Sequence, residues 1–202
     1  MRLLLIRHGE TSDNVDRIIG SRLPGPALTV TGREQAHGLA ARLAHAPAVV
    51  HSSQARRAVE TAETVAAALG VPHVQVEGLH EIDAGDLEGR PFADALEGYA
   101  GTMQGWWTDP DARIPGGESG SEFVARFDQA LTTVVDGAPD DAVVAVVSHE
   151  AAISVWAANV ATNLDAEFSR THGIANTGVV ELEGSPQDGW VVTSWDGHPV
   201  AP

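Results

Sequence analysis

The chain has 202 residues, 43% hydrophobic and 20% charged, with a formal net charge of −16 and a pI near 4.7. That balance suits a soluble globular protein and argues against nucleic acid or an anionic membrane as partner. All 12 basic residues are arginine and cysteine is absent; this excludes a Schiff-base or P-loop lysine, a thiol nucleophile, cysteine-bound zinc and disulfides.

Leu3 to Ile6 is a short apolar run that stops at Arg7-His8-Gly9-Glu10-Thr11, the pattern of a buried strand with chemistry at its carboxyl end. The run is too short for a secretory leader, and no window is long enough for a membrane span, so a cytoplasmic protein is expected. Thr11 to Leu28 reads as a long loop, with Ser21 to Ala27 rich in Gly and Pro. Thr31 and Glu34 form a candidate capping box for a helix through Leu39 and Leu43 to about Ala46. Ala48 to His51 is a second apolar run, ending in Ser52-Ser53, and Gln54 to Leu69 is an alanine-rich helix closed by Gly70. Val74 and Val76 mark a weaker third strand.

This alternation of strand and helix predicts an α/β fold, a three-layer α/β/α sandwich with a mostly parallel central sheet. Residues 77–117 break the pattern with recurring Gly and Pro and a Trp106-Trp107 pair, and read as an insertion capping one end of the sheet. Ser119 and Glu122 form another capping box for a helix to about Val135. Val143 to Val147 is the most hydrophobic strand, expected at the centre, and ends at Ser148-His149-Glu150 before a helix over 151–160. Gly178 to Leu182 and Trp190 to Trp195 form a closing hairpin, which could pair across a homodimer or edge the sheet. No linker or repeat interrupts the chain, so one domain over 1–202 is expected.

Three strand ends carry comparable chemistry: Arg7-His8, Ser53 followed by Arg56-Arg57, and His149. Parallel strands present their carboxyl ends along one edge, so these groups could converge as an anion site. In a chain this acidic, an anionic substrate needs such a local cluster of arginines. Taken singly, Arg56, Arg57 or Arg33 could each be a solvated charge and His149 a core histidine. No HxxxH or HxH spacing supports a metal.

Arg7-His8-Gly9-Glu10-Thr11 resembles the RHG motif of the histidine phosphatase superfamily, the phosphoglycerate mutase-like proteins. Four further segments are similar to that family in order: Leu28-Thr-x-x-Gly32; Ser53-x-x-x-Arg57-Ala58-x-x-Thr61-Ala62; Leu79-x-Glu81-x-x-x-Gly85-x-x-Glu88-Gly89; and Pro115-Gly-Gly-Glu-Ser119 with Val147-Ser-His149. The resemblance selects Arg57 over Arg56. It implies a metal-independent, cofactor-free phosphomonoesterase acting on a small-molecule phosphate through a phosphohistidine. In that scheme His8 attacks phosphorus, and Arg7, Arg57, His149 and Asn14 hold the phosphoryl oxygens. Glu81 protonates the leaving oxygen and then activates water, which requires surroundings that disfavour its charged form.

Two departures stand out. Where this branch usually has glycine after the second histidine the chain has Glu150, and an acidic residue there is the proton donor in the acid-phosphatase branch. Glu150 is therefore an alternative acid, or a carboxylate at a helix start. Ser21 to Ala27 replaces the family's more usual aspartate before the Leu-Thr pair, and Arg22 could reach a substrate anion. Between Glu77 and Gly117 the only basic residues besides His80 are Arg90 and Arg113, among nine acids. That favours a phosphatase over a phosphoglycerate mutase, and the complete residue set favours both over a non-catalytic phosphate-binding module. Tyr99, Met103, Trp106 and Trp107 form either an apolar lid or part of the core.

Overall fold

A computed structural model describes residues 1–136 and 138–201. In chain order its elements are β1 (Arg2–Arg7), α1 (Ser12–Asp16), α2 (Val30–Arg42), β2 (Val50–Ser52), α3 (Arg56–Leu69), β3 (His73–Gln75), α4 (Phe92–Ala95), α5 (Thr102–Gly105), α6 (Gly120–Val135), β4 (Val143–Ser148), α7 (Glu150–Val160), α8 (Ala166–Thr171), β5 (Val179–Ser185), β6 (Gly189–Trp195) and β7 (His198–Pro199). A 3₁₀ turn at Gly85–Leu87 and a π turn at Glu97–Gly101 complete the segment between β3 and α6.

The seven strands form one sheet in the order β3-β2-β4-β1-β5-β6-β7. β1 to β4 are mutually parallel, while β5, β6 and β7 run antiparallel on one side. Leu3, Leu4, Leu5 and Ile6 are at most 1% exposed, each contributing roughly 1.5–3 kcal/mol of burial. Side chains alternate along a strand, so Leu3 and Leu5 enter one core and Leu4 and Ile6 the other. Val144 and Val146 on β4 join the first core, Ala145 and Val147 the second. Phe123, Phe127, Ile153 and Trp156 of α6 and α7 fill the first face, and Leu39, Ala58, Ala62 and Val65 of α2 and α3 the second. Helices on both faces give the three-layer sandwich.

β4 is an interior strand between β2 and β1, as its apolar run predicts, but the middle of the seven positions belongs to β1. Ser119 and Glu122 do form a capping box, and Gly70 ends α3 with φ 69°. Three local expectations are corrected. Thr29, not Thr31, caps α2, its side chain accepting from Gly32 N–H; the Leu28-Thr29 segment turns one residue pair earlier than the Thr31–Glu34 spacing suggests. The stretch 11–28 is not all loop, because Thr11 and Asn14 close a capping box that folds α1. Val76 lies just beyond β3, its N–H donating the last ladder bond to Ser52 O.

β1 and β4 lie side by side, yet the chain leaves β1 toward α2 on one face and β4 toward α7 on the other. Such a divergence opens a crevice beyond the carboxyl ends of the two strands. Segment 77–117 lies beside it and supplies Glu81, Phe92, Tyr99, Met103 and Trp107 to its wall.

Candidate active site

Arg7 pairs with Ser148 in the β1–β4 register, so the next residues, His8 and His149, leave the sheet together. Their ring centroids are 5.3 Å apart. β2 ends one strand away; Ser53 follows it and α3 begins at Arg56, which puts Arg57 in the first helical turn. Arg57 is 2% exposed. Its Nε–H is shared between His8 Nε2 at 3.1 Å and His149 Nδ1 at 3.2 Å. His8 Nδ1 donates to Gly9 O at 2.7 Å, and His149 Nε2 donates to Ser53 Oγ at 2.8 Å. Both imidazoles therefore present a lone pair to the same point, with a guanidinium N–H between them.

Electrostatics agree that both rings are neutral. Burial, then the Arg57 charge, holds both His8 and His149 well below the usual histidine range. For His8 the Gly9 carbonyl opposes this and Arg7 adds to it. Two neutral rings beside two arginines make a site that gains from an anion.

Arg7 points to the same place from β1. Its Nη1 donates to Ile174 O at 2.5 Å and pairs with Glu150 Oε2 at 2.7 Å, while its buried Nε has no partner among the described residues. Asn14, the third residue of α1, accepts at Oδ1 from Thr11 N–H, Thr11 Oγ1 and Asn176 Nδ2, at 3.0, 3.1 and 3.2 Å. Its own amide N–H₂ is thereby left for the cleft. Glu81 accepts from Ile82 and Ala152 N–H at 2.9 Å each and from Ala151 N–H at 3.3 Å, at the start of α7. Burial nevertheless raises its carboxyl above the ordinary range, outweighing those backbone donors and Arg57.

These side chains share one cleft of about 640 Å³, lined among others by Arg7, His8, Asn14, Arg57, Glu81 and Glu150. Among the described residues no group of three His, Asp or Glu side chains is placed to hold a metal ion.

The family model of the histidine phosphatase superfamily (branch 1) matches residues 3–197. The chain belongs to that superfamily. It is similar to the PE-PGRS family protein PE_PGRS11 of Mycobacterium tuberculosis, 33% identical over 98% of this chain and 36% of that protein. The chain thus spans only about a third of that relative's length. It is also 33% identical to the adenosylcobalamin/alpha-ribazole phosphatase of Salmonella typhimurium, over 80% of each. A solved mycobacterial glucosyl-3-phosphoglycerate phosphatase in complex with VO₃ superposes with a TM-score of 0.82 at 28% identity, covering 97% of this chain and 98% of that one.

In this member of the superfamily, the predicted site residues Arg7, His8, Asn14, Arg57, Glu81 and Glu150 line the cleft, whereas His149 is fully buried behind Arg57. Arg22 does not reach the cleft; it donates to Gly85 O at 3.3 Å, and its loop is tied down by Glu88, which accepts from Ser21 N–H and Oγ. The aromatic pair divides: Trp106 is buried against Phe123, whereas Trp107, Tyr99 and Met103 line the cleft. Three supporting residues escaped the sequence reading. Thr61 Oγ1 accepts from Gly9 N–H and donates to Arg57 O, tying the two catalytic-looking segments together. Asn176 donates to His8 O and Asn14 Oδ1. Arg126 grips Glu118 with two nitrogens and donates to Gly78, His80 and Glu81 carbonyls, fixing the backbone that carries Glu81. Only Thr61 lay within a motif. Asn176 and Arg126 had no local signal.

No helix of the described residues is long and apolar enough to cross a membrane.

Proposed function

We propose that the chain hydrolyses a small-molecule phosphate monoester through a phosphohistidine on His8. The observation that carries this reading is the Arg57 Nε–H held between two imidazole lone pairs, at 3.1 and 3.2 Å. A phosphoryl oxygen entering there accepts from Arg57, and the His8 Nε2 lone pair is freed to face phosphorus.

His8 Nε2 forms the P–N bond as the ester P–O bond breaks, and Glu81 gives its proton to the departing oxygen. The Glu81 carboxylate then takes a proton from water, whose oxygen attacks phosphorus. The P–N bond breaks, and inorganic phosphate leaves with His8 neutral again. Arg7, Arg57 and Asn14 hold the equatorial oxygens, with His149 set beside them against Arg57; phosphoryl transfer depends chiefly on such positioning and charge. Glu81 is favoured over Glu150 as the acid. Burial raises the Glu81 carboxyl, whereas Glu150 is engaged in the ion pair with Arg7.

Hydrolysis is favoured over the mutase reaction because residues 77–117 bring no cation to the cleft among the described residues. Arg113 pairs with Glu122, and neither it nor Arg90 lines the cleft. The decisive assay is hydrolysis of p-nitrophenyl phosphate without added metal. His8→Ala should reduce it to background, and acid quenching of the wild type should lose the trapped phosphate from the enzyme. Turnover retained by His8→Ala refutes the reading.

A further inference from the structure

Glu150 is the chain's departure at its second histidine, and the reaction above gives it no proton to move. Its side chain is 42% exposed in the cleft wall, with Oε2 2.7 Å from Arg7 Nη1. Oε1 accepts from Ile174 N–H at 3.3 Å, and a Cβ at Gly173 would lie only 3.3 Å from it, so the 173–174 backbone closes on the carboxylate. Glu150 is therefore held beside one of the two arginines that receive the phosphoryl group.

Local charge gives this placement its meaning. The arginines lining the cleft are Arg7, Arg17, Arg57 and Arg170, and the carboxyl groups are Asp13, Glu81 and Glu150. Arg170 is already paired with Glu167. With Glu81 protonated, three arginines face two carboxylates, a surplus of one positive charge against a dianionic phosphoryl group. The rest of the wall combines apolar side chains, among them Ile18, Phe92, Met103 and Trp107, with the polar Gln104, Ser154, Ser169 and His172. A second anion on the leaving group finds the nearby charge already used and meets Glu150.

We propose that Glu150 is a specificity-determining residue: it steadies Arg7 while placing a carboxylate beside the phosphoryl site, so that the chain accepts monoesters with uncharged, apolar leaving groups and rejects those carrying a second anion near the ester. The inference rests on the phosphatase reading and names its substrate class.

Matched esters test it: sn-glycerol 3-phosphate against 3-phosphoglycerate, and phenyl phosphate against 3-carboxyphenyl phosphate. Within each pair the wild type should favour the uncharged ester in kcat/KM by about tenfold, the effect of like charges about 7 Å apart at an effective dielectric of about 40. Glu150→Gln keeps an acceptor for Arg7 and for Ile174 N–H, and should bring both ratios near unity, chiefly through KM of the carboxylated esters. Added salt should shrink the wild-type ratios and leave those of the variant unchanged. Damage to Arg7 placement alone slows both members of a pair alike and cancels in the ratio. His8-dependent hydrolysis with ratios that Glu150→Gln leaves within twofold of wild type overturns this inference alone. A wild type that hydrolyses p-nitrophenyl phosphate but neither uncharged ester also overturns this inference alone, and one that hydrolyses none of the five overturns the phosphatase reading with it.

Discussion

Replacing Glu81 by glutamine separates folding from chemistry at the proposed acid. Oε1 takes the two short bonds, from Ile82 and Ala152 N–H at 2.9 Å, and Oε2 only the long one from Ala151 at 3.3 Å. A glutamine whose oxygen occupies the Oε1 position keeps both short bonds and loses the weakest. The expected loss of stability is about 1 kcal/mol. The chemistry loses its proton carrier, which is worth about a hundredfold to ten-thousandfold for an alkoxide leaving group. p-Nitrophenolate departs without a proton, so with that ester the first step should survive while water attack on the phosphohistidine slows. Rapid-mixing kinetics of Glu81→Gln should therefore show a burst of nitrophenolate close to one per enzyme, followed by slow turnover. With glycerol phosphate no burst should appear and the whole reaction should slow. Near wild-type turnover of both esters by Glu81→Gln, with Glu150→Gln inactive on both, would refute the assignment and move the acid to Glu150.

Buried neutral histidines also make stability depend on pH. His8, His149, His51, His73 and His80 are all lowered, each with burial as the largest cause. The unfolded chain then binds more protons than the folded one below the ordinary histidine pKa of about 6.5. Their contribution is complete above that value and is lost as pH falls, so Tm should drop steadily from pH 7 to pH 5, and a flat Tm would contradict the burial. Gly25 has φ +67°, and a Cβ there would sit 2.6 Å from Arg57 Nη1; Gly25→Ala should cost about 1–2 kcal/mol and, by displacing Arg57, lower kcat/KM about tenfold to a hundredfold, read by denaturant titration and p-nitrophenyl phosphate kinetics. The two adjacent tryptophans should part company. Trp106→Ala should destabilise by about 3–5 kcal/mol in urea, whereas Trp107→Ala should leave stability nearly unchanged and raise KM for phenyl phosphate about two- to tenfold relative to glycerol phosphate.

What the sequence determined by itself was whatever a short stretch can encode. Leu3 to Ile6 must be buried on both faces, and a strand buried that way needs helices on both sides. Arg7-His8 and Ser148-His149 sit where apolar runs end, so their position at the sheet's carboxyl edge followed from strand length alone. Ser119 with Glu122 and Gly70 carried their caps in neighbouring residues. Tertiary structure decided what depends on distant partners. Nothing near Arg126 announces that it will hold the Glu81 backbone, some 45 residues away, because a long side chain's partners are set by how α6 packs. Asn176 likewise reaches His8 O across 168 residues. The choice between Thr29 and Thr31 as cap turned on where Glu10 meets the chain, with Thr29 N–H donating to Glu10 O. Glu150 shows the division most clearly. Its identity was visible as a departure from the motif, but its ion pair with Arg7, and the charge it adds beside the phosphoryl site, exist only because β1 and β4 lie side by side.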